Sequence, residues 1–281
     1  MNVNQYEFRY SGARNRMSAG TVHLAESAGK RPVVILCHGF KGFKDWGFVP
    51  ELAEAFARSG YYALRFNFTH NGCSVEGAEE ADLDAFRENR LSFETTDLSL
   101  LMEQLVLGEL PHSERADTDS MFLVGHSRGG AAVIQCGDEE GVLGIALLAS
   151  ISRYPSVSED EAKAWQSAGV NYVKNFRTGT ELPLGTGLLA ELTEKGEVLE
   201  RAVKSLRIPI CIVHGDADST VSVDAARQLS ALASNSELHL LPGGDHTFGA
   251  KHPFAGWTSH LERVRDILLI FFERVRGGGL T

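Results

Sequence analysis

The sequence has few cysteines, and no two of them are spaced as zinc or redox motifs require. The chain has four: Cys37, Cys73, Cys136 and Cys211. None stands in C-x-x-C spacing, which excludes the common zinc and thiol redox motifs. Cys37 and Cys211 lie in the apolar runs VVILC and IPICIV, where a free cysteine behaves as a small buried hydrophobic residue. The sequence therefore implies neither a metal ion nor an organic cofactor.

Positive charge is also scarce. The chain has 27 Lys and Arg against 37 Asp and Glu, a net charge of −10, and its cations form no dense cluster. Nucleic acids and anionic membranes attract proteins through basic patches. We therefore expect neither as a partner, and a small molecule remains the expected ligand.

Long hydrophobic runs are missing as well. No apolar stretch approaches the roughly 18 residues that a membrane-spanning helix needs. The opening segment, MNVNQYEFRY, lacks the apolar centre of a signal peptide. We expect a cytoplasmic protein with reduced cysteines.

Hydrophobic residues make up 43% of the 281 residues, enough for one large core, and we treat the whole chain, 1–281, as a single domain. Apolar runs predict strands at 31–39, 61–68, 121–125, 143–150, 208–215 and 237–242. Apolar residues at helical spacing predict helices at 50–60, 94–107, 131–137 and 224–233, and a last helix with Leu261, Val264, Leu268, Phe271 and Val275 on one face. Segments 6–10 and 21–24 predict an antiparallel pair. Strands alternating with helices indicate an α/β fold with a mostly parallel sheet covered on both sides.

Residues 151–205 interrupt this alternation and contain no predicted strand. Ser158 and Glu161 form a possible capping box at the start of a helix. Three aromatic side chains follow: Trp165, Tyr172 and Phe176. We expect a small helical cap over a site, because ligands bind where parallel strands end. The aromatic residues would either line an acyl pocket and bind substrate or form the core of the cap, and both interpretations stay open.

The pattern G-x-S-x-G occurs at 125–129, within FLVGHSRGGAAV. It follows a predicted strand and begins a helix, the setting in which a nucleophilic serine projects from a sharp turn. Gly125, Gly129 and Gly130 would remove the Cβ atoms that such a turn cannot hold. Ser127 is therefore the candidate nucleophile.

A serine hydroxyl needs a base, and the base needs a carboxylate to orient it. His246 follows the last strand in PGGDHTFG and is the candidate base; His70, in NFTHNG, is the alternative. Asp218, in VHGDADSTV, is the candidate acid, and Asp216 is expected to brace the turn. The chain order is then serine, acid, histidine.

The negative oxygen of a tetrahedral intermediate needs hydrogen-bond donors. We expect one to be the backbone N–H of Arg128, directly after the serine. The other is the N–H of Phe40 in CHGFKGFKDW, where Gly39 permits the bend. The charged side chain of Arg128 is expected to be incidental.

These motifs together resemble those of the α/β-hydrolase superfamily, from about residue 33 to the last helix. The matching pieces are HGF (38–40), GHSRGG (125–130), HGDADSTV (214–221) and GGDHTF (243–248). In that family they form the oxyanion loop, nucleophile, acid and histidine. The combination is similar to bacterial carboxylesterases, including cinnamoyl and feruloyl esterases with a small cap after the sixth strand. The chain departs at 67–74, which reads NFTHNGCS where many relatives have D-x-R-G-x-G-x-S.

The first hypothesis is a serine carboxylesterase acting on small to medium acyl esters. A serine peptidase or a thioesterase of the same fold would use the same residues. A non-enzymatic binding module is the third class, against which the complete set of motifs argues. Relative rates on an ester and an aminoacyl-arylamide separate the first two. A homodimer stays open.

Overall fold

The computed structural model describes residues 2–26, 28–74, 77–175, 179–194 and 197–278. The strands are β1 (Val3–Ser11), β2 (Met17–Ala25), β3 (Arg31–Cys37), β4 (Tyr62–Phe66), β5 (Cys73–Ser74), β6 (Gly77–Ala81), β7 (Ala116–His126), β8 (Val142–Leu148), β9 (Val170–Lys174), β10 (Glu181–Gly185), β11 (Ile210–Gly215) and β12 (Ser236–Leu241). The helices are α1 (Val49–Arg58), α2 (Leu83–Arg87), α3 (Leu91–Val106), α4 (Gly129–Gln135), α5 (Glu159–Ala168), α6 (Thr186–Glu194), α7 (Val198–Ser205), α8 (Asp224–Leu232) and α9 (Ser259–Arg276).

One large sheet organises the molecule. Its strand order within the described residues is β1-β2-β4-β3-β7-β8-β11-β12. β1 pairs with β2, and β2 with β4, in antiparallel fashion, while the remaining neighbours are parallel. The predicted mostly parallel sheet with an antiparallel pair at its start is confirmed. The carboxyl ends of the parallel strands therefore meet at one edge of the sheet, where ligands bind in such folds.

The central strand β3 is buried along its whole length. Successive side chains of a strand point to opposite faces, so this strand feeds two cores. Val33 and Ile35 pack into the cluster that includes apolar residues of α3, α4 and α7. Val34 and Leu36 pack into the other, with apolar residues of α1 and α9. A strand covered on both faces explains the unbroken apolar run in the sequence.

The last helix illustrates how local signals fix an element. The Thr258 side chain accepts a hydrogen bond from the Leu261 N–H and caps the start of α9. The predicted apolar face is buried, apart from Val275, which is partly buried. No helix in the described part of the chain has the length and apolar character needed to cross a membrane.

The insertion at 151–205 is only partly helical. It contains α5, α6 and α7, and the predicted capping box of Ser158 and Glu161 is present. It also contains the antiparallel hairpin β9–β10, in which Val170 pairs with Gly185. The prediction of no strand here was wrong. The two strands are short and are defined by pairing with each other, and Pro183 inside one of them obscures the pattern.

Candidate active site

Ser127 lies at the turn between β7 and α4. Its backbone has a φ of +55°, a left-handed conformation that is uncommon for a residue with a side chain. The turn is anchored on both sides: the Ser127 N–H donates to the Leu148 carbonyl (2.9 Å), and the Gly130 N–H donates to the Ser127 carbonyl (3.1 Å). Strain held by surrounding bonds is typical of functional sites.

The three glycines around this serine are required by close contacts, two of them with backbone atoms and one with the Ser150 side chain. A Cβ on Gly125 would lie 2.5 Å from the Gly130 Cα, and one on Gly129 would lie 2.5 Å from the His38 carbonyl oxygen. A Cβ on Gly130 would meet the Ser150 Oγ at 2.1 Å. The glycines let α4 begin directly against β7 and the end of β3, as predicted.

Asp218 and His246 meet at the ends of β11 and β12. The His246 Nδ1 lies 2.8 Å from the Asp218 Oδ2. The Asp218 side chain is fully buried, and its other oxygen accepts the N–H groups of Thr220 (2.8 Å) and Val221 (2.9 Å). The carboxylate is therefore fixed by its own loop and presents one oxygen to the imidazole.

A second histidine, which no sequence motif singled out, contacts the same carboxylate. The His214 Nε2 lies 3.2 Å from the Asp218 Oδ2 and 2.9 Å from the Val221 carbonyl oxygen. Burial alone would raise the pKa of Asp218, but the hydrogen bonds from His214 and His246 lower it below its usual range. Asp218 thus stays ionised, as a residue that orients a histidine must.

His126 contacts the backbone of the loop that carries His246. Its Nε2 lies 2.9 Å from the His246 carbonyl oxygen, and the two rings are 4.9 Å apart. Burial, and then the neighbouring His246, lower the pKa of His126 to about 3. A neutral His126 donates to that carbonyl and adds no positive charge beside His246.

Ser127 and His246 line one cavity of about 180 Å³. Its other lining residues come from the segment between β3 and the start of α1, from the end of β7 and from the loop after β12: His38, Gly39, Phe40, Lys41, Gly42, Trp46, Val49, His126 and Thr247. The loop lies directly against the serine, since a Cβ on Gly39 would be 2.9 Å from the Ser127 Cβ and 3.4 Å from its Oγ.

Of the two expected oxyanion donors, Phe40 lines this cavity. Arg128 directly follows Ser127, another lining residue, at the start of α4. Among the residues described, no acceptor pairs with the backbone N–H of either. Unpaired N–H groups at a helix start form a site for negative charge.

The Arg128 side chain is not incidental, and that prediction was wrong. Its guanidinium is buried, forms a two-pronged ion pair with the buried Glu94, and donates to the Asn89 Oδ1 at 3.0 Å. It also lies 4.1 Å from the centre of the Phe40 ring. The Arg128 side chain therefore packs against Phe40, the residue that carries the other expected oxyanion donor. The partner Glu94 is 34 positions away, so no local motif reveals it.

The three aromatic residues of the insertion have different surroundings. Trp165 is buried, donates from Nε1 to the Leu184 carbonyl (2.9 Å), and lines a separate cavity within the insertion. Tyr172 is 55% exposed. Phe176 lies outside the described residues. Neither Trp165 nor Tyr172 lines the cavity that holds Ser127, and the contacts of Trp165 are those of a core residue.

The alternative residues have structural partners. His70 is buried, with its Nδ1 2.7 Å from the Thr69 Oγ1, and burial followed by Arg16 lowers its pKa to about 4. Asp216 accepts the Gly243 N–H (2.6 Å) and so braces its turn, as predicted. Within the described chain, the geometry favours His246 over His70 as the partner of Ser127.

One cluster has the side chains of a metal site. The ligand atoms of Cys211, Glu237 and His239 lie within 4.8 Å of one another. Arg274 forms an ion pair with Glu237 there. A cation would have to displace that guanidinium, so the donor set does not fit a resident metal.

Comparison with solved structures gives the same architecture. Est1E from Butyrivibrio proteoclasticus with ferulic acid bound is 19% identical, with a TM-score of 0.72 over 95% of this chain and 99% of that chain. An esterase domain from a Rhodothermus marinus protein is 20% identical (TM-score 0.66, 98% and 99% covered). The α/β hydrolase GrgF from Penicillium sp. sh18 is 14% identical (TM-score 0.70, 96% and 98% covered).

No protein-family model matches the chain. No curated protein matches it either. The likeness to solved structures shows that the chain has the α/β-hydrolase fold predicted from its motifs.

Proposed function

We propose that this α/β-hydrolase-fold protein is a serine hydrolase that cleaves small to medium carboxylic esters. One arrangement carries the proposal: Ser127 on a strained turn shares a cavity with His246, whose other ring nitrogen is held by the ionised Asp218. A serine, a histidine and a buried carboxylate in these roles are the machinery of acyl transfer.

In the proposed reaction, the Ser127 oxygen attacks the ester carbonyl carbon while His246 Nε2 takes the hydroxyl proton. The resulting tetrahedral oxyanion is held by the N–H groups of Phe40 and Arg128. His246 returns the proton to the leaving alcohol as the carbon–oxygen bond breaks and leaves an acyl-enzyme. Water, deprotonated by His246, then attacks the acyl carbon. The bond from that carbon to the Ser127 oxygen breaks, His246 gives the proton to this oxygen, and the acid leaves. Asp218 keeps Nδ1 protonated throughout, so that Nε2 is free to accept.

The cavity limits the acyl group. At about 180 Å³ it is only slightly larger than an engineered protein cavity of about 150 Å³ that holds one benzene molecule. Phe40, Trp46 and Val49 supply apolar wall. A short alkyl chain or a single aromatic ring matches this space. Because the Butyrivibrio neighbour holds ferulic acid, methyl ferulate is the first aromatic ester to try.

We also propose that the protein works in a reducing compartment, the cytoplasm, as the sequence led us to expect. Cys37, Cys136 and Cys211 are buried free thiols, as is usual where thiols are kept reduced.

The test is hydrolysis of p-nitrophenyl esters from acetate to decanoate, with methyl ferulate and an aminoacyl-p-nitroanilide, by the wild type and Ser127→Ala. We expect kcat/KM to be highest on short esters and to fall by about 10⁴-fold or more in the variant. A preference for the anilide would replace the esterase proposal with a peptidase. Equal rates for the two proteins would remove Ser127 from the reaction.

A further inference from the structure

We propose that Asn71 is a positioning residue for the oxyanion hole, which it aligns by holding the peptide bond between Gly39 and Phe40. This inference rests on the proposed function, since it assigns a role in the same site. Asn71 lies in the segment NFTHNGCS, where this chain departs from the pattern of many relatives.

The Gly39 carbonyl oxygen is held by three donors. The Gly42 N–H lies 2.9 Å away, the His38 Nδ1 2.9 Å away and the Asn71 Nδ2 3.1 Å away. The His38 Nε2 accepts the Phe68 N–H (3.1 Å), so its Nδ1 carries the proton and donates. Three converging donors leave this carbonyl little rotational freedom.

That carbonyl and the Phe40 N–H belong to one planar trans peptide, in which the two groups point in opposite directions. Bonds that fix the Gly39 carbonyl therefore also fix the direction of the Phe40 N–H. Gly39 lies against Ser127, and the Phe40 N–H has no acceptor among the residues described. The hydrogen bonds to the Gly39 carbonyl thus set the direction of the otherwise unpaired Phe40 N–H.

Asn71 holds the rest of this turn as well. Its Nδ2 also donates to the Gly42 carbonyl (3.2 Å), and its Oδ1 accepts the Lys41 N–H (3.2 Å). Lys41 has a φ of +62°, the left-handed conformation that a turn of this kind usually gives to glycine. A buried primary amide supplies both the donors and the acceptor that the strained turn needs.

Aspartate and alanine at this position remove different parts of the contact. Asn71→Asp keeps an acceptor for Lys41 but has no hydrogen to give to the Gly39 and Gly42 carbonyls. Asn71→Ala removes both contributions. Asn67→Ala is the matched control, because Asn67 Oδ1 holds the same loop at the Lys44 N–H (2.6 Å) without touching the Gly39 carbonyl.

The experiment measures kcat and KM on p-nitrophenyl acetate together with inhibition by 2,2,2-trifluoroacetophenone, which serine converts to a tetrahedral adduct. Titration with diethyl p-nitrophenyl phosphate counts the active sites, so a partly unfolded variant is still compared per functional site.

We expect both Asn71 variants to lose about 10- to 100-fold in kcat, because a single oxyanion donor is worth about 10²- to 10³-fold. The ketone should bind more weakly by a similar factor, while KM changes by no more than about threefold. Asn67→Ala should keep kcat per site within about threefold of wild type even if it melts at a lower temperature.

Values of kcat per site and ketone inhibition in both Asn71 variants that match those of Asn67→Ala would overturn the role of Asn71 and leave the proposed function intact. If the wild type itself neither hydrolyses esters nor binds the ketone, the proposed function fails and the role of Asn71 falls with it.

Discussion

The loops at the carboxyl edge of the large sheet and the insertion at 151–205 treat their polar groups differently. In the insertion the one buried indole, Trp165, is satisfied internally by the Leu184 carbonyl. At the sheet edge, Asp218 hydrogen-bonds the Nδ1 of His246 and the Gly39 carbonyl is anchored beside Ser127, while His246 and Ser127 both line a cavity. A hydrogen bond made within a segment supports structure, whereas bonds that leave one side of a group open prepare it for a ligand.

The largest effect should come from the carboxylate at the sheet edge. Asp218→Asn replaces an acceptor with an amide that can hold His246 in the wrong tautomer, so kcat on p-nitrophenyl acetate should fall by about 10⁴-fold. Asp216→Asn, in the same loop, is the control, because an amide oxygen can still accept the Gly243 N–H. Steady-state kinetics on both variants checks this. An Asp218→Asn variant as active as wild type would mean that the carboxylate at the sheet edge is not prepared for catalysis.

Next is the buried ion pair behind the cavity. Arg128→Met leaves Glu94 buried without its cation, which should lower the free energy of unfolding by about 3–5 kcal/mol at neutral pH. Burial raises the pKa of Glu94, and the charge of Arg128 opposes that rise. Without Arg128, the buried carboxyl group of Glu94 binds a proton in the folded variant, whereas the same carboxyl group is ionised in the unfolded chain at neutral pH. Its stability should therefore be greatest below the unfolded-state pKa of Glu94 and should fall as pH rises through the folded-state pKa.

Urea unfolding of Arg128→Met between pH 4 and 8, compared with wild type, measures this slope. The control is the double variant Arg128→Met, Glu94→Gln, in which the added titration should disappear. An identical pH dependence in Arg128→Met and wild type would mean that the pair is not buried as described.

The glycines of the serine turn should show a smaller effect on stability. In Gly125→Ala the new Cβ meets the backbone of Gly129 and Gly130 at 2.5–2.6 Å, so the start of α4 must shift. We expect a loss of about 1–3 kcal/mol together with reduced activity, because Ser127 lies between the two elements. Gly277→Ala, whose Cβ would be 3.4 Å from the nearest atom, should be tolerated. Thermal melts and ester kinetics separate the two variants, and an unaffected Gly125→Ala would contradict the tight turn.

The smallest effect on catalysis should come from the insertion. Trp165→Phe removes the Nε1–H donor to the Leu184 carbonyl and should cost about 1 kcal/mol of stability. We expect kcat/KM on short esters to change by less than about twofold, since Trp165 lines another cavity. Tyr172→Phe, at an exposed position, controls for a change of ring chemistry. A tenfold or greater loss of kcat/KM in Trp165→Phe would indicate that Trp165 belongs to the substrate site, and the insertion would no longer differ from the sheet edge in its role.

Much of the sheet edge was predictable from the sequence for a physical reason. Each proposed catalytic side chain lies in the turn or loop that follows an apolar run, and parallel strands bring their carboxyl ends together. The pairing of Asp218 with His246 follows from that geometry and is present at 2.8 Å. The glycines beside Ser127 also signalled their role, because a tight turn excludes side chains locally.

The remaining features depend on contacts between distant segments. Glu94 meets Arg128 from another helix, and Asn71 reaches the Gly39 turn from the loop after β4. The hairpin β9–β10 is defined by pairing within the insertion. No periodicity or short motif encodes such partners, so neither the ion pair of Arg128 nor the hairpin was predictable from the sequence.

Ser127 is tested most directly as the nucleophile by covalent labelling of the folded protein with a fluorophosphonate, followed by peptide mass mapping. We predict one phosphonyl adduct per chain, located on Ser127, with much slower labelling in Asp218→Asn and none in Ser127→Ala. Folded wild-type protein that takes up no label, or carries it on another residue, would contradict the assignment of Ser127 as an activated nucleophile.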